Sequence, residues 1–103
     1  MNNKTGDFRD LEVWQKCKVL RNDLWRLSQA FPAEEKYRLT DQVIRASRSV
    51  SACIAEGYGR FHYQENIQFC RQSRGSLYEL IDHIDVASDC EYIDDNQREE
   101  LIA

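Results

Sequence analysis

Apolar residues recur at helical spacing along three stretches of the chain, and no stretch alternates as a strand would. In the first, Val13, Trp14, Cys17, Leu20, Leu24, Leu27 and Phe31 follow one another at short helical steps and make one buried stripe. Asp10 is a good N-cap, Glu12 falls in the first turn, and Pro32 cannot continue a helix comfortably. The pattern therefore predicts a helix from after Asp10 to near Phe31. Ala33 to Arg38 is polar and charged and reads as a linker with room for one helical turn.

The second stretch is the most regular: Leu39, Val43, Ala46, Val50, Cys53 and Gly57 step by 4, 3, 4, 3 and 4, the seam of a helix packed nearly parallel or antiparallel to its neighbours. It predicts a helix from about Leu39 to Tyr58, stopped and turned at Gly57 and Gly59. The third helix is expected from His62 or Tyr63 to Cys90, with Phe69, Cys70, Ser73, Leu77, Leu80, Ile81, Ile84 and Ala87 inward. Gly75 in its middle costs about 1 kcal/mol against alanine, which close approach of another backbone would offset. Asp94, Asp95 and Asn96 then look like the cap of a fourth helix, which is either short or cut off where the sequence ends at Ala103. The expected fold is all-α, an antiparallel up-down four-helix bundle in one domain spanning residues 1–103.

A chain of 103 residues has room for one modest core and no second domain. Its 31% charged and 42% hydrophobic residues exclude a disordered tail and a membrane protein, and no apolar run approaches the roughly 18 residues that span a bilayer. Polar residues near Met1 leave no apolar stretch for a signal peptide, so a cytoplasmic location is expected. The four cysteines, Cys17, Cys53, Cys70 and Cys90, show no metal or redox spacing and are expected to be reduced and mostly buried. Charge is segregated: residues 1–35 balance at 0, residues 36–74 carry +4 and residues 75–103 carry −8, within a total of −4. A basic middle and an acidic end can attract an anionic partner or pair head to tail between copies. The overall acidity argues against a dedicated nucleic-acid binder.

Phe8 to Lys16 (FRDLEVWQK) resembles the opening of the four-helix-bundle proteins encoded in intervening sequences of bacterial large-subunit (23S) ribosomal RNA genes. Similar too are Phe31 and Pro32, Leu39 to Arg45, Ile54 to Arg60 (IAEGYGR) and Gly75 to Leu80 (GSLYEL), in order over almost the whole chain. The chain departs from the family pattern at Ser51, Cys53 and His62. The resemblance implies an antiparallel four-helix bundle assembling as a ring, commonly a homopentamer, without known catalysis. The family includes accessory proteins of diversity-generating retroelements, which bind a reverse transcriptase and RNA; nothing in this sequence shows that context.

Among candidate sites, Arg45 and Arg48 lie off the seam of the second helix, Arg71 and Arg74 are likewise three apart on the third, and Tyr58 and Arg60 stand at the turn between them. Two readings stay open for these six residues: a patch for RNA or an RNA-binding protein, or ion pairs and aromatic contacts between copies involving the acidic final third. Ala52, Ala55 and Gly75 are candidates for helix packing or an oligomer interface. His83 with Glu79, Asp82 and Asp85 suggests a solvated acidic face more than a metal site. With two histidines and no nucleophile elbow or phosphate loop, no enzyme is expected, and neither is a cofactor, a metal or a small-molecule substrate. The function expected is a self-assembling helical scaffold or adaptor, the alternative an RNA or ribonucleoprotein accessory factor.

Overall fold

The computed structural model describes residues 7–59 and 63–102, and the elements among them are all helical. Four α-helices follow in chain order: α1 Glu12–Ser28, α2 Leu39–Tyr58, α3 Tyr63–Asp89 and the two-turn α4 Asp95–Ile102. Short 3-10 turns stand at Phe8–Asp10 and at Ala33–Glu35, the second being the single turn expected in the linker.

The start of α1 differs from the expectation. Asp10 belongs to the 3-10 turn, whose cap is Asp7 accepting the Arg9 N–H at 2.8 Å, and α1 begins behind Leu11 with no side-chain cap. Local hydrogen bonding by Asp7 satisfies the turn first, so the helix starts one step later. At the other end α1 stops at Ser28, and single 3-10-type bonds carry the chain to Phe31.

α2 is the central element, packed along α1 on one side and α3 on the other. Its register with α3 is antiparallel: Ser49 and Ser76 share a hydroxyl hydrogen bond of 2.9 Å, the Ser73 hydroxyl donates to the Val50 carbonyl at 2.9 Å, and Gly57 lies against Asn66 and Phe69. The small side chains at these crossings let the helices approach closely while their hydroxyls find backbone or side-chain partners. Among the described residues, no buried side-chain oxygen or nitrogen is left without one.

The core gathers Leu24 and Phe31, Leu39, Val43 and Ala46 from the start of α2, and Leu80, Ile84 and Ala87 from the end of α3. α3 ends in a Schellman turn, with Glu91 at φ 63° and the Tyr92 N–H bonded to the Ala87 carbonyl at 2.9 Å. That turn folds Tyr92 and Ile93 back over the core. Ile93 is buried, Tyr92 stacks at a tilt on Phe31 with ring centroids 5.5 Å apart, and its hydroxyl donates to Glu35 at 2.7 Å. α4 opens with a reciprocal capping box: the Gln97 N–H bonds the Asp94 carboxylate at 2.8 Å and the Asp94 N–H bonds the Gln97 side chain at 2.9 Å. Leu101 then packs on the core, so the end formed by residues 24–46 and 80–101 is sealed.

Two expectations are corrected here. All four cysteines are free, but Cys70 and Cys90 are exposed and Cys17 and Cys53 only half-buried. Cys70 stands on an exposed face of α3, and Cys90 lies in the turn beyond the core. Gly75 does not sit at a crossing among the described residues, since a Cβ there would meet none of their atoms within 4 Å. The close approach is at Gly57, where an added Cβ would lie 2.8 Å from the Phe69 Cβ and 2.9 Å from the Asn66 Oδ1.

Candidate functional site

Two grooves flank α2. The first, of about 670 Å³, lies between α1 and α2 and is lined on the α1 side by Phe8, Trp14, Arg21, Asn22, Trp25 and Arg26. On the α2 side it is lined by Arg48, Ser51, Ala52 and Ala55. The residues reach one place because Trp14, Arg21 and Trp25 step by 7 and 4 along α1, and Arg48, Ser51 or Ala52, and Ala55 by 3 or 4 along α2. Phe8 meets Trp14 edge-on at 5.1 Å, and the Arg21 guanidinium lies over the Trp14 ring at 5.5 Å while donating to the Ser51 hydroxyl at 2.9 Å. Trp25 is nearly half exposed. Small residues on α2 form a floor onto which flat rings can settle, and three guanidiniums border it with no carboxylate among the lining residues. Arg26 is tied to Asp23 at 3.1 Å, whereas Arg48 has no carboxylate within ion-pairing distance among the described residues.

The second groove, of about 410 Å³, lies between α1 and α3 with α2 as its floor. Leu11, Val13 and Cys17 form one wall, Val50, Ile54 and Tyr58 the floor, and Asn66, Cys70, Ser73, Arg74 and Leu77 the other wall. It is mostly apolar, and among the described residues Arg74 is the one charged group in its lining. Arg74 covers the Tyr78 ring at 5.6 Å. Burial raises the Cys17 thiol above its ordinary value, and nearby Arg21 offsets part of that rise.

The structure thus divides the residues that the sequence singled out. Arg48, Ala52 and Ala55 come together in the first groove, and Tyr58 and Arg74 in the second. Arg45 belongs to neither; it pairs with Asp41 one turn back at 3.4 Å. Arg71 is exposed on α3 and Gly75 faces open space, while Arg60 lies outside the described residues. His83 bonds Glu79 at 3.2 Å and Asp85 bonds Arg98 at 2.8 Å, and no cluster of three or more His, Cys, Asp or Glu is placed to hold a metal among the described residues. Sequence reasoning missed Trp25, Arg21 and Arg26 because they fall off the apolar stripe of α1. The 7 and 4 spacing of Trp14, Arg21 and Trp25 is the signal that marks them as one face.

The bundle thus carries two open grooves, one bordered by arginine and tryptophan and one mostly apolar. The chain belongs to the 23S rRNA-intervening sequence protein family, whose model matches residues 9–103. No curated protein matches the sequence. No helix among the described residues is long and apolar enough to cross a membrane.

Proposed function

We propose that the chain is a non-catalytic helical scaffold that assembles with copies of itself and carries protein partners. The α1/α2 groove carries this reading. Tryptophan and arginine are the side chains that most often dominate binding energy at interfaces, and here both stand half-exposed around a floor of small residues. Charge supports it as well. Both grooves lack lining carboxylates, whereas Asp82, Asp89, Glu91, Asp94, Asp95, Glu99 and Glu100 are exposed on α3 and α4 or beside them. A patch and its complement on different parts of one chain pair unlike surfaces, and such heterologous contacts close as rings or run on as filaments. A closed ring of five copies is the specific form of the proposal, as the resemblance implies. Four free cysteines suit a reducing compartment, the cytoplasm.

Light scattering coupled to size exclusion tests this. The expected mass is near five times the 12.2 kDa of one chain, falling toward 12.2 kDa in Arg48→Glu and at high salt. A wild-type monomer at micromolar concentration would sink the scaffold reading.

The same groove favours a second reading, an RNA or ribonucleoprotein accessory factor. Guanidiniums for phosphates beside indole faces for bases are what a single strand requires. Salt-dependent retention on heparin and binding of single-stranded RNA, both lost in Arg48→Glu while the mass stays unchanged, would favour it.

A further inference from the structure

The turn between α3 and α4 is the counterpart in charge of the α1/α2 groove. In the groove Arg48 has no carboxylate within ion-pairing distance among the described residues, and Arg21 is held by two neutral groups, the Trp14 ring and the Ser51 hydroxyl. Ser51 is buried and donates its own proton to the Arg48 carbonyl at 3.2 Å, so the floor beneath both guanidiniums is fixed. In the turn Asp89, Glu91 and Asp95 are exposed, and none of the three has a cation within ion-pairing distance among the described residues. Asp94 adds a fourth carboxylate at the cap of α4, and Cys90 is exposed beside Glu91.

The fold keeps the two apart within one chain. The turn closes the bundle beside Phe31 and the start of α2, through the Tyr92 ring and the hydrogen bond from Tyr92 to Glu35. From Leu39, Arg48 stands about 14 Å along α2 and Ala55 about 24 Å, at 1.5 Å per residue. A contact between groove and turn therefore joins two copies through unlike surfaces, and leaves each copy a groove or a turn for the next. The chemistry favours that occupant. Guanidinium and carboxylate that meet beside an indole are shielded from water by the ring and form charge-assisted hydrogen bonds, and the small Ala52 and Ala55 leave room above the floor for a turn to enter. A nucleic-acid strand would meet the −8 of residues 75–103 as well as the groove, whereas a second copy brings that charge as the complement.

We propose that the α1/α2 groove is completed by a second copy of the chain, whose α3–α4 turn enters it and sets the carboxylates of Asp89, Glu91 and Asp95 against Arg48 and Arg21 beside Trp25. The proposal rests on the scaffold reading and names the two surfaces through which copies join.

Cys90, exposed in the turn, is a native reporter for the test. Ala52 is exposed on the groove floor and Asn22 on its α1 wall, so Ala52→Cys and Asn22→Cys each place a thiol in the groove. Both are made in the full chain with Cys70→Ser, which removes the other exposed thiol. After mild oxidation with diamide, non-reducing electrophoresis and mass spectrometry follow the products. The expected result is a disulfide from the introduced thiol to Cys90 of the next copy, giving a ladder of multiples of 12.2 kDa that Cys90→Ser abolishes. Arg48→Glu should slow its formation by about tenfold, and Asp89→Lys with Glu91→Lys in the same chain should recover most of that loss. No such disulfide at either position, in chains that circular dichroism shows to be folded, would overturn the proposal. A single dimer band that persists in Cys90→Ser would set groove against groove and overturn it too. Protection of the introduced thiol by single-stranded RNA, in an assembly that forms no disulfide, would assign the groove to nucleic acid with the same consequence. Where light scattering still finds an assembly, each of these failures leaves the scaffold reading in place. A ladder from protein that light scattering finds at 12.2 kDa does the reverse, keeping the contact and removing the stable scaffold.

Discussion

At one end of the bundle Leu24, Val43 and Leu80 are each 1% exposed, while at the other Val13 and Leu77, on two of the same helices, are 53% and 37% exposed. Period and residue type hardly differ between the two. What differs is cover: at the sealed end the Schellman turn at Glu91, the Tyr92 ring on Phe31, Ile93 and Leu101 close the space over the three helices. At the open end α1 and α3 face each other across Val50 and Ile54 with nothing between them among the described residues. An apolar stripe states which face of a helix leaves water if something is there to receive it, and it does not say what receives it.

Truncations at the two ends should therefore differ most. Leu80→Ala, at the centre of the sealed core, is expected to cost about 2 to 5 kcal/mol, and Leu77→Ala, one helical turn away on the groove wall, less than about 1 kcal/mol. Urea denaturation of the two variants at equal concentration measures the contrast. Equal losses would mean that the groove is filled in solution.

Backbone positions sharpen the comparison with a smaller effect. Gly57→Ala pushes a methyl to 2.8 Å from the Phe69 Cβ and should cost about 1 to 3 kcal/mol. Gly75→Ala meets open space and should gain up to about 1 kcal/mol from helix propensity. Glu91→Gly should gain about 1 kcal/mol by relieving the left-handed backbone of the turn. Thermal unfolding of the three variants reads the signs directly, and a loss at Gly75 would place that face against another copy.

The legibility of the chain follows the same division. Leu39, Val43, Ala46, Val50 and Gly57 of the α2 seam are all buried, because a regular step along a helix flanked on both sides fixes its register without further information. The cap of α4 at Asp94 was legible for a similar reason, as the interaction spans three residues. Gly57 and Gly75 look alike as helical glycines, and only the register of α2 against α3 distinguishes the crowded one from the open one. Asp10 was misleading as a cap because Asp7 competes for the same short segment. The α1/α2 groove was half legible: Arg48, Ala52 and Ala55 stood out on α2, and the 7 and 4 spacing puts Trp14, Arg21 and Trp25 on one face of α1, but that this face meets α2 follows only from how the two helices pack.

The finest probe of the sealed end is a proton. Tyr92 donates to the Glu35 carboxylate at 2.7 Å, and losing that proton would set a phenolate against a carboxylate. The hydrogen bond to Glu35, then partial desolvation and the Glu35 charge, push the Tyr92 pKa from 10.0 up to about 12. The folded value lies above the unfolded one, so the neutral phenol is the form that folding favours. Its contribution to stability is fully present below about pH 10 and is lost as pH climbs toward about 12. Phenolate absorbance of the folded protein should show a tyrosine step near pH 12 that disappears in Tyr92→Phe. In Glu35→Gln the acceptor remains but the charge is gone, and the step should move down toward 10.0. A step that stays near 12 in Glu35→Gln would mean that something other than this carboxylate holds the proton. Denaturation midpoints of wild type and Tyr92→Phe should differ below about pH 10 and converge as the tie is titrated away, whereas groove-wall variants such as Leu77→Ala should keep a constant offset from wild type over the same range.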